Sequence, residues 1–423
     1  MDKNVIKLII NRQQEFVSKI KLQKRNIQLD PAANYVLVGI RRAGKSFLLY
    51  QYIQELLEQG HSIEEILFIN FEDERISDIK KEELDLILEC YSELYAHEPI
   101  IFLDEIQNID GWEHFARRLA DEKRRVLITG SNAHMLSREI SSVLGGRYIP
   151  KEIYPFSLTE YLQFNGVVLD RNWEFSSTKS TVVRLFAEFF YNGGLSEMFP
   201  LQDKKAWLQS LYHKILFSDI VVRKGIRNEL SLKLLIRKLA DGVMQPVSVK
   251  RIQNILQGDG TKISRETVSN YLGYLNEAYL TFSVSNFSDS ITERENQKKH
   301  YFFDNGILNL FLYQPDTKLL ENLVALELHK KYGDNLFYYN KNIEVDFCVP
   351  NEGLLIQVSY DMKTDETRKR EFGALVKAAK FFNAKKLLVI TYNQEEETEY
   401  DGTKISVIPV WKFLIDNDFL KDR

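Results

Sequence analysis

From about residue 35 to 155, short runs that are almost wholly apolar (YVLVGI, ILFINF, IIFLDE, VLITGS and the less apolar RYIPKEIYP) alternate with helix-length segments. Runs without polar alternation suit strands covered on both faces, and helix-length connections impose parallel pairing. The first part of the chain is therefore expected to be α/β, with one strand, ILFINF, lying in sequence between YVLVGI and IIFLDE. The preceding MDKNVIKLIINRQQEFVSKIKLQKR reads as an amphipathic helix. Between 157 and 225 the strand signal fades, and aromatic-rich helical patterns such as TVVRLFAEFFYNGG predict an all-helical lid or linker.

Residues 229 to 286 hold three amphipathic helices, with Ser248 and Ser264 placed as N-caps. Two strand-like runs, LTFSVSNF and KKHYFFDNG, follow, and the order outlines a winged helix. After residue 317 a helix, the strands NLFYYN, IEVDFCVP and GLLIQVSY, a helix around 366 to 382 and KLLVITY make a second α/β unit. The expected organisation is a first α/β domain over 1–156, a helical lid or linker over 157–228, a winged helix over 229–312 and a second α/β domain over 313–423. EEETEYD reads only as a short acidic tract.

With 423 residues, 44% hydrophobic and 27% charged, the chain can bury several cores. Its net charge of -4 gives no whole-chain attraction to nucleic acid, so such a partner requires a local basic patch. Cys90 and Cys348 read as separate buried thiols. The lack of a signal-peptide core or a bilayer-length apolar run leads to the expectation of a cytoplasmic protein.

The chemistry concentrates after YVLVGI. Gly39-Ile40-Arg41-Arg42-Ala43-Gly44-Lys45-Ser46, followed by Phe47, fits G-x-x-x-x-G-K-[ST] between a strand and a helix. Glycines let backbone N–H groups surround phosphates, and the helix start adds partial positive charge. This loop is the expected ATP site, with Lys45 reaching the β and γ oxygens and Ser46 holding Mg²⁺. IIFLDE brings Asp104 to a strand end as the second metal residue, and Glu105 can orient the attacking water. Ser131 and Asn132 are expected to sense the γ-phosphate, with Thr129 a lesser candidate. Arg147, or the nearby Arg138, is expected as an arginine finger, within the chain or toward a neighbouring subunit. Phe47, Leu48, Leu49, Ile53, Leu56 and Leu57 supply the packing side of the helix, and Arg41 and Arg42 point to nucleotide or partner.

These motifs, with IFLDEIQNIDGWE, ITGSNAHML, LGGRYIPKEIYPFSLTEYL, DIVVR, TVSNYLGYLNEAYL and EVDF in this order, resemble a family of bacterial and archaeal AAA-type ATPases with a C-terminal domain of uncharacterised function. The resemblance implies a parallel P-loop sheet, ATP and Mg²⁺, a winged helix and a C-terminal domain similar to restriction-type nucleases. In such nucleases a helix Glu, a strand Asp and a Glu-x-Lys hold metal and assist water attack. Glu321 and Asp346 match, but Gln357 and Ser359 replace the second carboxylate and the lysine, so a degenerate, binding-only fold is expected. Glu344 shares a strand face with Asp346. On the winged helix Lys250, Arg251, Arg265, Thr267, Asn270 and Tyr271 are candidate DNA contacts, opposed by Glu266 and Glu277, and a protein-binding wing is the competing reading. Asp219 and Arg223, one helical turn apart, read first as a salt bridge and second as a relay to the nucleotide. The expected function is an ATPase switch on DNA or a protein partner, with oligomerisation open. An ATP-responsive DNA-binding regulator and an ATP-gated nuclease are the alternatives.

Overall fold

The computed structural model describes residues 1–136, 142–258, 260, 262–287, 290, 294 and 297–416. The chain forms two compact units, residues 1–154 with 277–279, and residues 155–276 with 280–423.

The first unit opens with α1 (Lys3–Lys19), capped by the Asp2 carboxylate accepting from the Asn4 N–H. Its apolar face buries Ile6, Ile9, Ile10 and Val17, and Gln14 Nε2 donates to the Ile66 carbonyl at 2.7 Å. The order continues β1 (Asn34–Val38), α2 (Lys45–Glu58), β2 (Ile66–Asn70), α3 (Asp85–Leu94), β3 (Ile100–Asp104), α4 (Trp112–Asp121), β4 (Val126–Gly130) and β5 (Tyr148–Glu152). The sheet runs β2-β3-β4-β1-β5 with every pairing parallel. ILFINF, the strand between the two motifs in sequence, is the edge strand β2. The strand that lies between β1 and β3 in space is β4, which follows both motifs in the chain. Because the strands are parallel, the ends of β1, β3 and β4 open on one side, where ligands of such sheets bind.

The second unit contains α5 (Leu158–Phe164), α6 (Thr178–Asn192), α7 (Lys204–Lys214), α8 (Glu229–Asp241), β6 (Val247–Ser248), α9 (Val249–Gly258), α10 (Arg265–Glu277), β7 (Thr281–Asn286) and β8 (Gln297–Phe302). It continues with α11 (Asn305–Asn309), α12 (Asp316–Tyr332), β9 (Phe337–Asn340), β10 (Glu344–Val349), β11 (Leu354–Val358), α13 (Asp365–Phe382), β12 (Lys386–Thr391), β13 (Glu396–Tyr400), β14 (Thr403–Pro409) and α14 (Val410–Ile415). The strands form one nine-stranded mixed sheet, β13-β14-β12-β11-β10-β9-β7-β8-β6. The expected division at 312/313 separates segments of sequence but not of this sheet, since β7 pairs in parallel with β9. The helices expected as a lid join the same unit, with Asn305 Nδ2 donating to the Phe190 carbonyl at 3.0 Å and Gly194 N–H to the Asp304 carboxylate at 2.8 Å.

Ser248 and Ser264 cap their helices, accepting from the N–H groups of Arg251 and Thr267. The acidic tract is structured: Glu396–Tyr400 is the edge strand β13, antiparallel to β14. A charged edge strand is a common way to stop sheets from adding partners, and its alternation hides behind uniformly polar residues. Asp219 is buried in a segment wound as π-helix, Ile215–Val222, whereas Arg223 is exposed. Cys90 and Cys348 are free and buried. Among the described residues, no helix is long and apolar enough to cross a membrane.

Candidate active site

After β1 the chain turns through Gly39 (φ 150°), Arg42 (φ 67°) and Gly44 (φ 92°) into α2. A Cβ on Gly39 would sit 2.1 Å from the Ile153 carbonyl oxygen, so a side chain is excluded by backbone. Helix α2 starts at Lys45 with no side-chain cap, the form of helix start that receives an anion. Lys45 is buried, and its Nζ donates to the carbonyls of Gly39 (3.0 Å) and Ile40 (3.1 Å) and lies 4.0 Å from Glu105 Oε1.

Asp104 ends β3 fully buried. Its Oδ1 accepts from Ser46 Oγ at 3.0 Å and from Thr129 Oγ1 at 2.5 Å, while the buried Oδ2 has no hydrogen-bond partner. Burial, and then the neighbouring Glu105 charge, push the Asp104 carboxyl up to about 7 against the pull of Thr129, Ser46 and Lys45. An orphaned carboxylate oxygen beside a serine hydroxyl is a donor set that suits a small hard cation, so these residues fit Mg²⁺.

Glu105 adopts a left-handed backbone (φ 53°), with its N–H donating to Thr129 Oγ1 at 3.0 Å. Its Oε2 accepts from Gln107 Nε2 at 2.5 Å, and the same nitrogen reaches Ser131 Oγ at 3.5 Å. Burial works against the Glu105 charge, but Lys45, Gln107 and Arg41 outweigh it and hold the carboxyl below its ordinary value. Thr129, a lesser candidate from sequence, thus contacts both acids directly. Ser131 and Asn132 are buried just after β4, whose strand neighbours are β1 and β3.

Around the loop, Ile40 and Ala43 are buried. Arg42 is exposed, and Arg41 is turned to Glu72 at 2.7 Å. Phe47 differs from the expected packing residue: it is 43% exposed, its ring 5.5 Å from that of Tyr50, because it lies off the face that carries Leu48, Leu49, Ile53 and Leu56. Two residues escaped the sequence reading. Arg25 is buried and donates from Nη1 to the carbonyls of Ala43 (3.0 Å) and Tyr154 (3.1 Å), bracing the loop; no motif marks it. Gln107 stands two residues after Glu105, in the stretch IIFLDEIQ, and only its contact reveals it.

Arg147 requires a correction. Tyr148 pairs with Asn34 and Glu152 with Val38, so Arg147 lies at the start of β5, at the sheet end away from the phosphate loop. Strand rise places it roughly 15–20 Å along the sheet from Gly39. Its Nε is bound to Asp121 Oδ1 at 2.5 Å. In this structure it does not reach its own chain's loop, and a role toward a neighbouring subunit is what remains of that expectation. Arg138 lies outside the described residues.

In the second unit, Glu321 on α12 and Asp346 on β10 do converge, on a lysine the sequence reading missed. Lys299 Nζ on β8 lies 3.2 Å from Glu321 Oε1 and 3.0 Å from Asp346 Oδ1. Glu344, on the same strand face as Asp346, is 3.6 Å away. Gln357 bonds to the Glu371 carboxylate at 2.9 Å and accepts the Asp346 N–H at 2.8 Å, and Ser359 Oγ donates to the Asp361 carbonyl. Tyr271, expected on a DNA-facing surface, is buried.

A parallel sheet in this order, a phosphate loop after β1 and an acid pair at the end of β3 define the first unit as a P-loop NTPase fold of the AAA type, within a chain that is α/β overall. A family model described as an AAA domain matches residues 32–162, and a domain of unknown function (DUF8612) matches residues 183–318. An uncharacterized protein of Methanocaldococcus jannaschii is 35% identical over 419 residues, covering 95% of this chain and 93% of that protein. One of Haemophilus influenzae is 31% identical over 389 residues, covering 89% and 93% respectively. Among solved structures, a Walker-type ATPase of Pyrococcus abyssi aligns with 73% of this chain and 95% of its own length at 16% identity, with a TM-score of 0.38. The chain belongs to the family of AAA-domain P-loop ATPases that carry a C-terminal domain of unknown function.

Proposed function

We propose that the chain binds ATP with Mg²⁺ and hydrolyses it, using the cycle as a switch on DNA or a protein partner. The observation that carries this reading is the convergence, at one end of the sheet's interior strands, of the uncapped start of α2, Lys45, Ser46 and the partnerless Asp104 Oδ2. Mg²⁺ held by Ser46 and Asp104 would offset charge on the β and γ oxygens. Gly39 to Ser46 cradle the phosphates, and Lys45 turns from the Gly39 and Ile40 carbonyls to the phosphate oxygens. Glu105, kept ionised by Lys45 and oriented by Gln107, takes the proton of the attacking water. Ser131 and Asn132 lie at the end of β4 beside it, suited to register the γ-phosphate. Arg147, bound to Asp121 at the other end of the sheet, is left to act toward a neighbouring subunit's site.

ATP turnover with Mg²⁺ in the wild type, Lys45→Ala and Glu105→Gln tests this. Lys45→Ala should lose nucleotide binding and turnover, and Glu105→Gln should still bind ATP but turn over about 100-fold more slowly or worse. Equal rates in all three would sink the assignment.

For the target of the switch, the order α8, β6, α9, α10 and the β7–β8 hairpin, with β6 antiparallel to β8, supports a winged helix. Lys250, Arg251, Arg265 and Asn270 are exposed on it. That favours DNA as the second reading, an ATP-responsive DNA-binding regulator. Duplex binding that weakens with salt and with Lys250 and Arg251 replaced would support it, and no binding at low salt would count against it. The elements around Glu321 and Asp346 support a restriction-nuclease-like domain in which Gln357 and Ser359 serve structure rather than hydrolysis. No cleavage with Mg²⁺ or Mn²⁺ is expected.

A further inference from the structure

The pocket beside β10 and β11 encloses about 520 Å³ and is lined by Glu321, Glu344, Asp346, Gln357, Arg370 and Glu371, among others. Its acids would suit a metal site, yet among the described residues no group of three or more His, Cys, Asp or Glu is arranged to hold an ion. The reason lies beneath them. Lys299 comes up from β8 with its side chain fully buried, and its Nζ contacts oxygens of three carboxylates at 3.0, 3.2 and 3.6 Å. The Tyr338 ring lies under it, 5.6 Å from Nζ to centroid, adding a cation–π contact. Tyr301 O–H fixes Glu321 Oε1 at 2.7 Å, and Val358 N–H fixes Asp346 Oδ2 at 2.9 Å. Glu321 is one of the lining residues, and its buried Oε2 has no hydrogen-bond partner.

Divalent cations need carboxylate oxygens drawn to about 2.0–2.6 Å. An ammonium already seated among the same oxygens takes both the space and the charge that such an ion would use. We propose that the Lys299 ammonium is the resident cation of this pocket, standing where a divalent metal would otherwise gather Glu321, Glu344 and Asp346. The wild-type pocket is then metal-free, which separates it from metal-dependent hydrolysis. Burial would disfavour a charged lysine, but the surrounding carboxylates outweigh that and hold it protonated. Removing the ammonium leaves Glu321, Glu344 and Asp346 without the cation that contacts all three, since the Arg370 guanidinium is paired with Glu371, and a divalent ion supplies that charge. The partnerless Glu321 Oε2 is then available as a further ligand.

Mn²⁺ titration of the nucleotide-free full chain, read by electron paramagnetic resonance, tests this in an Asp104→Asn background that removes the ATP-site acid. That background makes the result independent of the ATPase reading. With Lys299 intact no saturable Mn²⁺ site is expected. Adding Lys299→Met, which keeps the apolar stem, should create one, and adding Asp346→Asn should abolish it again. A saturable site in the Lys299-containing chain that disappears with Asp346→Asn overturns the proposal. So does a folded Lys299→Met chain that binds no Mn²⁺. Should Lys299→Met fail to fold, the Lys299-containing pair decides: no Mn²⁺ bound supports the resident lysine, and Asp346-dependent binding refutes it.

Discussion

Thr129 offers the sharpest test of how the candidate site is held together. Its hydroxyl donates to Asp104 Oδ1 at 2.5 Å and accepts the Glu105 N–H at 3.0 Å, in fully buried surroundings. Thr129→Val keeps the branched shape and removes both bonds. Stranding the buried Glu105 N–H costs about 1–3 kcal/mol, and losing a hydrogen bond to a carboxylate costs about 1.5–3 kcal/mol. The new methyl group returns about 0.8 kcal/mol. The first unit should therefore lose about 2–5 kcal/mol, a large part of the roughly 5–15 kcal/mol that domains typically have. Thr129→Ser keeps the hydroxyl and should cost about 1 kcal/mol. Hydrogen exchange of the β3 and β4 peptides against urea isolates this unit from the other. A Thr129→Val loss below about 1 kcal/mol, or a Thr129→Ser loss as large as that of Thr129→Val, would refute the bridging role.

Gly39→Ala forces a Cβ to within 2.1 Å of the Ile153 carbonyl oxygen at a φ of 150°. Backbone strain of on the order of 1–3 kcal/mol is expected together with weakened ATP binding, and wild-type melting and affinity would contradict the steric account. His300 is buried with Nδ1 lacking a partner, and burial pushes its imidazole down to about 4. The unfolded chain therefore binds this proton more readily, so the stability contributed by neutral His300 is present above the ordinary value of 6.5 and is lost as pH falls toward 4. Urea unfolding between these pH values should show the second unit weakening, and His300→Gln should flatten that slope. An unchanged slope in the variant would place the pH dependence elsewhere.

Local pattern was enough for the elements of the first unit and for placing Lys45 and Ser46 at a helix start and Asp104 and Glu105 at a strand end, because a strand, a glycine loop and a helix start are contiguous in the chain. The same holds for the caps Ser248 and Ser264 and for the strand carrying Asp346. Periodicity does not encode which strands become neighbours, so it could not show that β4 separates β1 from β3 and brings Thr129 onto both acids. Nor could it show that Arg147 immediately precedes β5, at the far end of the sheet. EEETEYD hid an edge strand because solvent-facing positions need no apolar signal. Arg25 and Gln107 became visible only through contacts. Lys299 is the clearest case: it precedes Glu321 and Asp346 in the chain and belongs to a strand read as part of a winged helix. Only the continuous sheet, by holding β8 and β10 in one layer with α12 packed against β8, turns three carboxylates that suggested a metal site into the shell of a lysine. Chemistry carried by neighbours in sequence was determined by the sequence itself, and chemistry carried by neighbours in space was decided by strand order and burial.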